Sequence, residues 1–248
     1  MGPEPDACLA PFLMLQPMGP MTNKPIEFTI LALESSADQA SAAILCADGR
    51  QAQHSHAARH GHAALITELA RAALADAGVD AEGLTHVAAG RGPGSFTGIR
   101  VALAAAKGFA LASGASGVGV SCLAATAHAA RSVAADRPIL ATADTRRGSY
   151  FTQAFAPSGD VMSDIIDLDP ESDQGIAADW HGALVVGPGA ALVVDAHADA
   201  GLTVASALPS LDALQVARLA ADGLMHRRAA DPLLPLYVAP AFLGPRKP

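Results

Sequence analysis

Glu34 and Asp144 each close an apolar run, and each is followed by a hydroxyl, Ser35 and Thr145. Carboxylates at strand ends beside a cleft can hold magnesium or serve as a general base. A second candidate is the run GRGPGSFTGIR, Gly90 to Arg100. A glycine loop that opens a helix offers backbone N–H groups to an anion. Gly92, Gly94, Ser95, Thr97 and Arg100 would line such a nucleotide or anion site, with Glu34, Asp144 and Arg146 across the cleft. The stricter phosphate signatures fail. A P-loop needs a lysine after its last glycine, and here Gly98 is followed by Ile99 and Arg100. The dinucleotide fingerprint fails too, because the glycine after Gly92-Pro93-Gly94 comes one place late.

Other candidates carry less. His54, His56, His60 and His62 lie close in sequence, but only His54 and His56 share a strand face, so surface histidines near a helix start are expected rather than a metal site. Cys8, Cys46 and Cys122 have no ligand-type spacing, which predicts reduced thiols. Arg146 and Arg147, following Asp144 after Thr145, favour a salt-bridged cleft over ligand binding. Trp180, Tyr150 and Tyr237 read as isolated aromatics, and no base-stacking platform is visible. The formal charge is −8, from 16 basic and 24 acidic residues, without a Lys/Arg cluster. A chain that grips a phosphate backbone alone would show a basic face.

The elements that must position these residues follow from periodicity. Apolar runs at Glu27 to Leu33 and Ser41 to Ala47 predict strands, Asp48-Gly49 a hairpin turn, and RQAQHSHAA a third strand. Leu65, Ile66, Leu69 and Ala73 recur at helical spacing up to Gly78. A strand at Thr85 to Ala89, a helix at Gly98 to Ser113 and a strand at Gly117 to Val120 complete β-β-β-α-β-α-β. The second half repeats the pattern. Aligning Leu140 with Ile30 sets Asp144 on Glu34; ALVVGPGA repeats the strand-then-glycine theme, with Gly187-Pro188-Gly189 as a tight turn. Leu211 to His226 predicts a last amphipathic helix before an extended proline-rich tail.

Two βββαβα halves predict the two-lobed actin-like (ribonuclease H-like) α/β fold. The expected division is a disordered or misassigned extension over 1–25, an N-terminal lobe over 26–128 and a C-terminal lobe over 129–248, with the last helix packing back on the first lobe. The first 25 residues lack a basic start and are broken by Pro11 and Pro17, so a secretory signal is not expected. No run is expected to reach the roughly 18 apolar residues that span a bilayer, and a cytoplasmic location is expected. The small residues Gly98, Ala102, Ala105 and Ala106 predict close approach of another helix, with Arg100 and Lys107 on a different side.

The segments ILALESSADQASAAI, RHGHAALITELARAAL, VAAGRGPGSFTGIRVALAAAKGFAL, GVSCLAATA and TADTRRGSYF together resemble the bacterial TsaB (YeaZ) family from Ile30 to Phe155. Arg59-His60 and the Asp144-x-Arg146-Arg147 pattern fit it, while Glu34 stands where the family usually has Asp. The resemblance implies a noncatalytic scaffold subunit for threonylcarbamoyladenosine synthesis on tRNA. It implies pairing with the metal-bearing paralog TsaD through two N-lobe helices, recruitment of the ATPase TsaE, and a similar homodimer when alone. TsaD transfers threonylcarbamoyl to N6 of the adenosine beside the anticodon, so tRNA would be met only through the complex. On that basis Leu65, Ile66, Leu69, Ala73, Ala102, Ala105 and Phe109 are the expected docking residues. TsaD holds metal with an HxxxH motif; Cys122 and Thr126 stand in those places, with His128 two positions late. No cofactor of its own is therefore expected, any metal or nucleotide residing with the partner or at the interface. The competing expectation is a stand-alone ATPase or small-molecule phosphotransferase built on Glu34, Asp144 and the Gly92 loop.

Overall fold

The computed structural model describes residues 27–238, leaving out 58–61, 135, 173, 206, 207 and 209. The extension over 1–25, Arg59, His60 and the side chain of His62 therefore lie outside the described residues.

The first sheet is built from β1 (Thr29–Glu34), β2 (Gln39–Cys46), β3 (Gln51–Ala57), β4 (His86–Gly90) and β5 (Ser116–Val120), in the order β3-β2-β1-β4-β5. β1 pairs antiparallel with β2 and parallel with β4. Helices α1 (His62–Ala77) and α2 (Phe96–Ser113) supply the crossovers. Buried on both faces, β1 reads as a nearly continuous apolar run. Leu31 and Leu33 face the α1–α2 side, and Ile30 and Ala32 face the opposite side. Each fully buried leucine or isoleucine among them contributes about 1.5–3 kcal/mol.

The second sheet repeats the plan with β6 (Ile139–Asp144), β7 (Tyr150–Phe155), β8 (Ile166–Leu168), β9 (Leu184–Val186) and β10 (Thr203–Val204), ordered β10-β9-β6-β7-β8. Two such sheets, each with three antiparallel strands and a parallel extension, make the two-lobed actin-like fold. The helices exchange partners between the lobes. α3 (Cys122–Ala134) packs Leu123, Ala127 and Ala130 with Ile139 and Phe155 of the second lobe. α5 (Ala213–Met225) returns to cover the first sheet with Val216, Ala217 and Ala220. The expected division after residue 128 thus falls inside α3. α4 (Ala190–Ala196) covers the other face of the second sheet, where Trp180 is buried.

Two expectations need correction. α2 is, by length and composition, apolar enough to cross a bilayer. Its Ile99, Ala102, Leu103 and Ala106 nevertheless pack in the first lobe's core, so it is a core helix with an additional apolar outer face. The face carrying Gly98, Ala102 and Ala106 is also turned inward rather than toward another subunit.

Candidate functional site

The glycine loop is packed against the turn that ends β1. A Cβ on Gly98 would stand 1.7 Å from the Ser35 carbonyl oxygen, and one on Gly94 2.8 Å from that of Ser36. The Ser95 N–H donates to the Ser36 carbonyl (2.8 Å), and the Ser95 hydroxyl caps α2 by accepting from the Gly98 N–H (3.2 Å). The Gly92 N–H donates to Cys122 Sγ (3.3 Å). Gly92 and Gly94 adopt positive φ values of 102° and 154°. These glycines serve close backbone contact, and the Gly92, Ser95 and Gly98 donors are taken by the protein itself.

Glu34 does not face the cleft as expected. It is completely buried, and one carboxylate oxygen accepts from both the N–H and the hydroxyl of Ser36. The Cys122 thiol lies 3.6 Å from the other oxygen as a donor, and a Cβ on Gly90 would overlap that oxygen. Burial raises the Glu34 pKa above its ordinary 4.5, against the lowering effect of the Ser36 hydrogen bonds. The same burial, reinforced by the adjacent carboxylate, pushes the Cys122 thiol well up. Because the unfolded chain loses the Glu34 proton first as pH rises, this carboxyl's contribution to stability is full in acid and is lost as pH rises through its folded pKa. Glu34→Gln keeps an acceptor for Ser36 and removes the titration. In urea melts at a series of pH values, wild type should lose stability relative to Glu34→Gln as pH rises above 4.5; parallel curves would contradict this assignment.

Asp144, at the matching end of β6, does line the cleft. Arg146, at φ 63°, reaches 2.7 Å to Asp38 of the first lobe and 3.6 Å to Asp144. Arg147 pairs with Asp167 at 3.0 Å. Beside Asp144 and Arg146 the cleft holds a cavity of about 70 Å³, lined by Ser36, Asp38, Gly94, Cys122, Thr126, Asp144 and Arg146. Small-molecule pockets begin near about 300 Å³.

Cys122 and Thr126, where the resemblance would set metal histidines, do not fit a metal. The Cys122 thiol is held protonated by burial and contacts Glu34, and the Thr126 hydroxyl donates to the Cys122 carbonyl (2.9 Å). His128 lies elsewhere on α3, beside Arg131, Asp222 and Arg228, with its pKa lowered by burial. Among the described residues no group of three or more His, Cys, Asp or Glu is placed to hold an ion. His54 instead pairs with Asp76 at 2.8 Å.

The expected docking residues divide by helix face. Ile66, Ala73 and Ala102 are fully buried in the first lobe's core, which removes them from any partner surface. They point inward because their spacing follows the stripe that packs on β1 and β4. Leu65, Leu69, Ala105 and Phe109 are half-buried at the edge of that core. The outward face of α2 is Arg100, Ala104, Lys107, Gly108 and Leu111, the last 88% exposed. Sequence reading chose the small residues of the core face over these.

Sequence reading also missed an aromatic pair. The tail crosses back over the first lobe: the Leu236 N–H donates to the Arg91 carbonyl (2.7 Å), and Arg91 pairs with Asp231 (2.8 Å). Tyr237 thereby meets Phe96 at 5.5 Å between ring centroids, and the Arg100 guanidinium lies 3.4 Å over Phe96. Thr97 is exposed beside them. No local pattern joins residues so far apart.

Residues 50–169 match the family TsaD: tRNA N6-adenosine threonylcarbamoyltransferase. The chain is 33% identical over 126 residues to a tRNA threonylcarbamoyladenosine biosynthesis protein TsaB from Haemophilus influenzae, covering 50% of this chain and 53% of that protein. It thus spans about half the length of the curated relatives it matches. Two structures from Pseudomonas aeruginosa superpose over their whole length. One, described as an uncharacterized protein similar to peptidase YeaZ, covers 86% of this chain at 26% identity and TM-score 0.73. The other, YeaZ, covers 85% at 26% identity and TM-score 0.70. In sequence over half its length, and in fold over most of it, the chain is thus similar to TsaB (YeaZ) proteins.

Proposed function

We propose that this chain is a noncatalytic subunit of the machinery that makes threonylcarbamoyladenosine in tRNA, docking on TsaD through the outer face of α1 and α2. The relatives' name supports the pathway. The observation that carries the docking reading is the exposed run of small and apolar residues on the outward face of α2, between Arg100 and Lys107. Ala104, Gly108 and Leu111 are open to solvent on an 18-residue helix, with Leu65, Leu69, Ala105 and Phe109 half-buried along its edge. A Cβ on Gly108 would meet nothing within 4 Å, so nothing inside the protein requires a glycine there. In an exposed helix interior, glycine costs about 1 kcal/mol relative to alanine. A neighbouring helix brought close to the backbone accounts for that choice.

The noncatalytic part of the reading is supported by the burial of Glu34, the Arg146–Asp38 closure of the cleft, and the poor fit of Cys122 and Thr126 to metal. These features also weigh against a stand-alone phosphotransferase. TsaE recruitment, homodimer formation in the absence of TsaD and contact with tRNA only inside the assembly belong to the same proposal. Light scattering of the chain mixed with TsaD from the same source tests it. A species heavier than either protein alone is expected, and two independent species would refute docking.

A further inference from the structure

The charges of this acidic chain are unevenly placed. Its arginines are scattered in sequence, but the packing of α5 along α3 gathers several of them. Arg131 stands in the last turn of α3, Arg218 is exposed in the middle of α5, and Arg227 and Arg228 are exposed just past its end. His128 marks how close they come: burial lowers its pKa, and Arg131, Arg228 and Arg218 lower it further against Asp222. Asp222 is already shared, paired with Arg228 and 3.2 Å from His226. On the turn that faces Arg131 across Gly159, Asp160 is engaged by the Ser158 hydroxyl (2.8 Å). Arg131, Arg218 and Arg227 thus have no carboxylate partner among the described residues.

The fold does not require these side chains. The negative ends of α3 and α5 favour Arg131, Arg227 and Arg228, but Arg218 lies mid-helix, where that field has faded. Arg227 goes against its own backbone. α5 closes with the Arg228 N–H donating to the Gly223 carbonyl (2.9 Å) and the Arg227 N–H to the Leu224 carbonyl (3.0 Å). The left-handed residue of such an end is ordinarily glycine. Arg227 fills that place at φ 53°, a conformation that a side chain disfavours. A use outside the chain accounts for arginines that the interior does not need.

Guanidinium forks suit phosphate. The recess between Arg131 and Arg228 holds about 30 Å³, far below the size of a nucleotide site. Its one phenyl ring, Phe155, is buried in the second lobe. Bases find nothing there to stack on, so a contact is to phosphate and carries no sequence information. α5 covers the face of the first sheet opposite α1 and α2, so this surface stays open when the docking face is covered. We infer that the α3–α5 surface carrying Arg131, Arg218, Arg227 and Arg228 contacts the phosphate backbone of RNA. That the RNA is tRNA held by the complex rests on the function proposed above; the positive surface does not. On a chain of net charge −8 these few contacts add to a partner's grip rather than replace it.

The test is fluorescence anisotropy of labelled tRNA with the full chain mixed with TsaD from the same source, from about 50 to 200 mM KCl. Arg131→Gln, Arg218→Gln and Arg227→Gly should each weaken binding and reduce the slope of log affinity against log salt by about 0.7–0.9. The triple variant should lose about tenfold or more at the lower salt. Arg227→Gly should also raise the melting temperature by about 2–4 °C, because glycine suits the left-handed position, so binding and stability move in opposite directions. Arg50→Gln, the same loss of charge at the β2–β3 turn, should leave binding unchanged. Light scattering of the same mixtures separates the two readings. Without a complex, docking fails, and the variants are then compared on this chain alone at about 20 mM KCl. Unchanged affinity and slope in the triple variant, an equal loss in Arg50→Gln, or no tRNA bound by chain or complex overturns the inference. Displacement by polyglutamate or inorganic phosphate as readily as by unlabelled tRNA would assign the surface to an acidic protein or a free anion, and overturns it too.

Discussion

Gly98→Ala is expected to destabilise the protein by about 3 kcal/mol, the upper part of the range for forcing extra volume into a packed interior. The added methyl would stand 1.7 Å from a backbone carbonyl oxygen, that of Ser35. Relief requires the start of α2 or the β1 turn to move. Neither yields easily. Ser35 Oγ donates to the Gly98 carbonyl (2.7 Å), and the Ser95 N–H holds Ser36 at 2.8 Å. Ten residues along the same helix, Gly108→Ala should have the opposite sign, a gain of about 0.5–1 kcal/mol, because its Cβ meets open space and alanine is the better helix former. Urea midpoints of the two variants, measured together, check both. A mild effect at Gly98 would mean that the loop is not seated on the β1 turn.

Gly108→Glu is expected to abolish complex formation with TsaD while leaving this chain's own fold intact. A charged side chain fits at Gly108 within the protein, since nothing lies within 4 Å of its Cβ position. Buried between two apolar helices, an unpaired carboxylate costs several kcal/mol after relaxation, and each 1.4 kcal/mol is about tenfold in affinity. A loss of about a thousandfold or more in a binding titration is therefore expected. Ala105→Glu is less informative, because Ala105 packs against the lobe's own core and its substitution mixes folding with docking. Undiminished affinity of a well-folded Gly108→Glu variant would move the interface off this face.

The repeat was legible in sequence because both first strands end in an acid followed by a hydroxyl, and both fourth strands run into Gly-Pro-Gly before a helix. That pairing gave the two-lobe division, and the sheet order in each lobe came from the structure. The roles of Glu34 and the glycines were not legible. Whether a glycine faces a phosphate or a neighbouring carbonyl depends on contacts such as Gly98 with Ser35, 63 positions away. The same limit applied to α2. Its small residues occur on both faces, so composition could not separate Ala102, completely buried, from Ala104, exposed. Tyr237 read as isolated because its partner Phe96 reaches it only after the tail has crossed Arg91.

The central claim is that this chain supports threonylcarbamoyl transfer without performing it. It is tested most directly by a transfer assay on tRNA with the partner proteins from the same source, run with and without this chain. The account predicts no modification by this chain alone and restored modification when it joins TsaD and TsaE. Modification unaffected by its omission, or nucleotide turnover by the isolated chain, would contradict it.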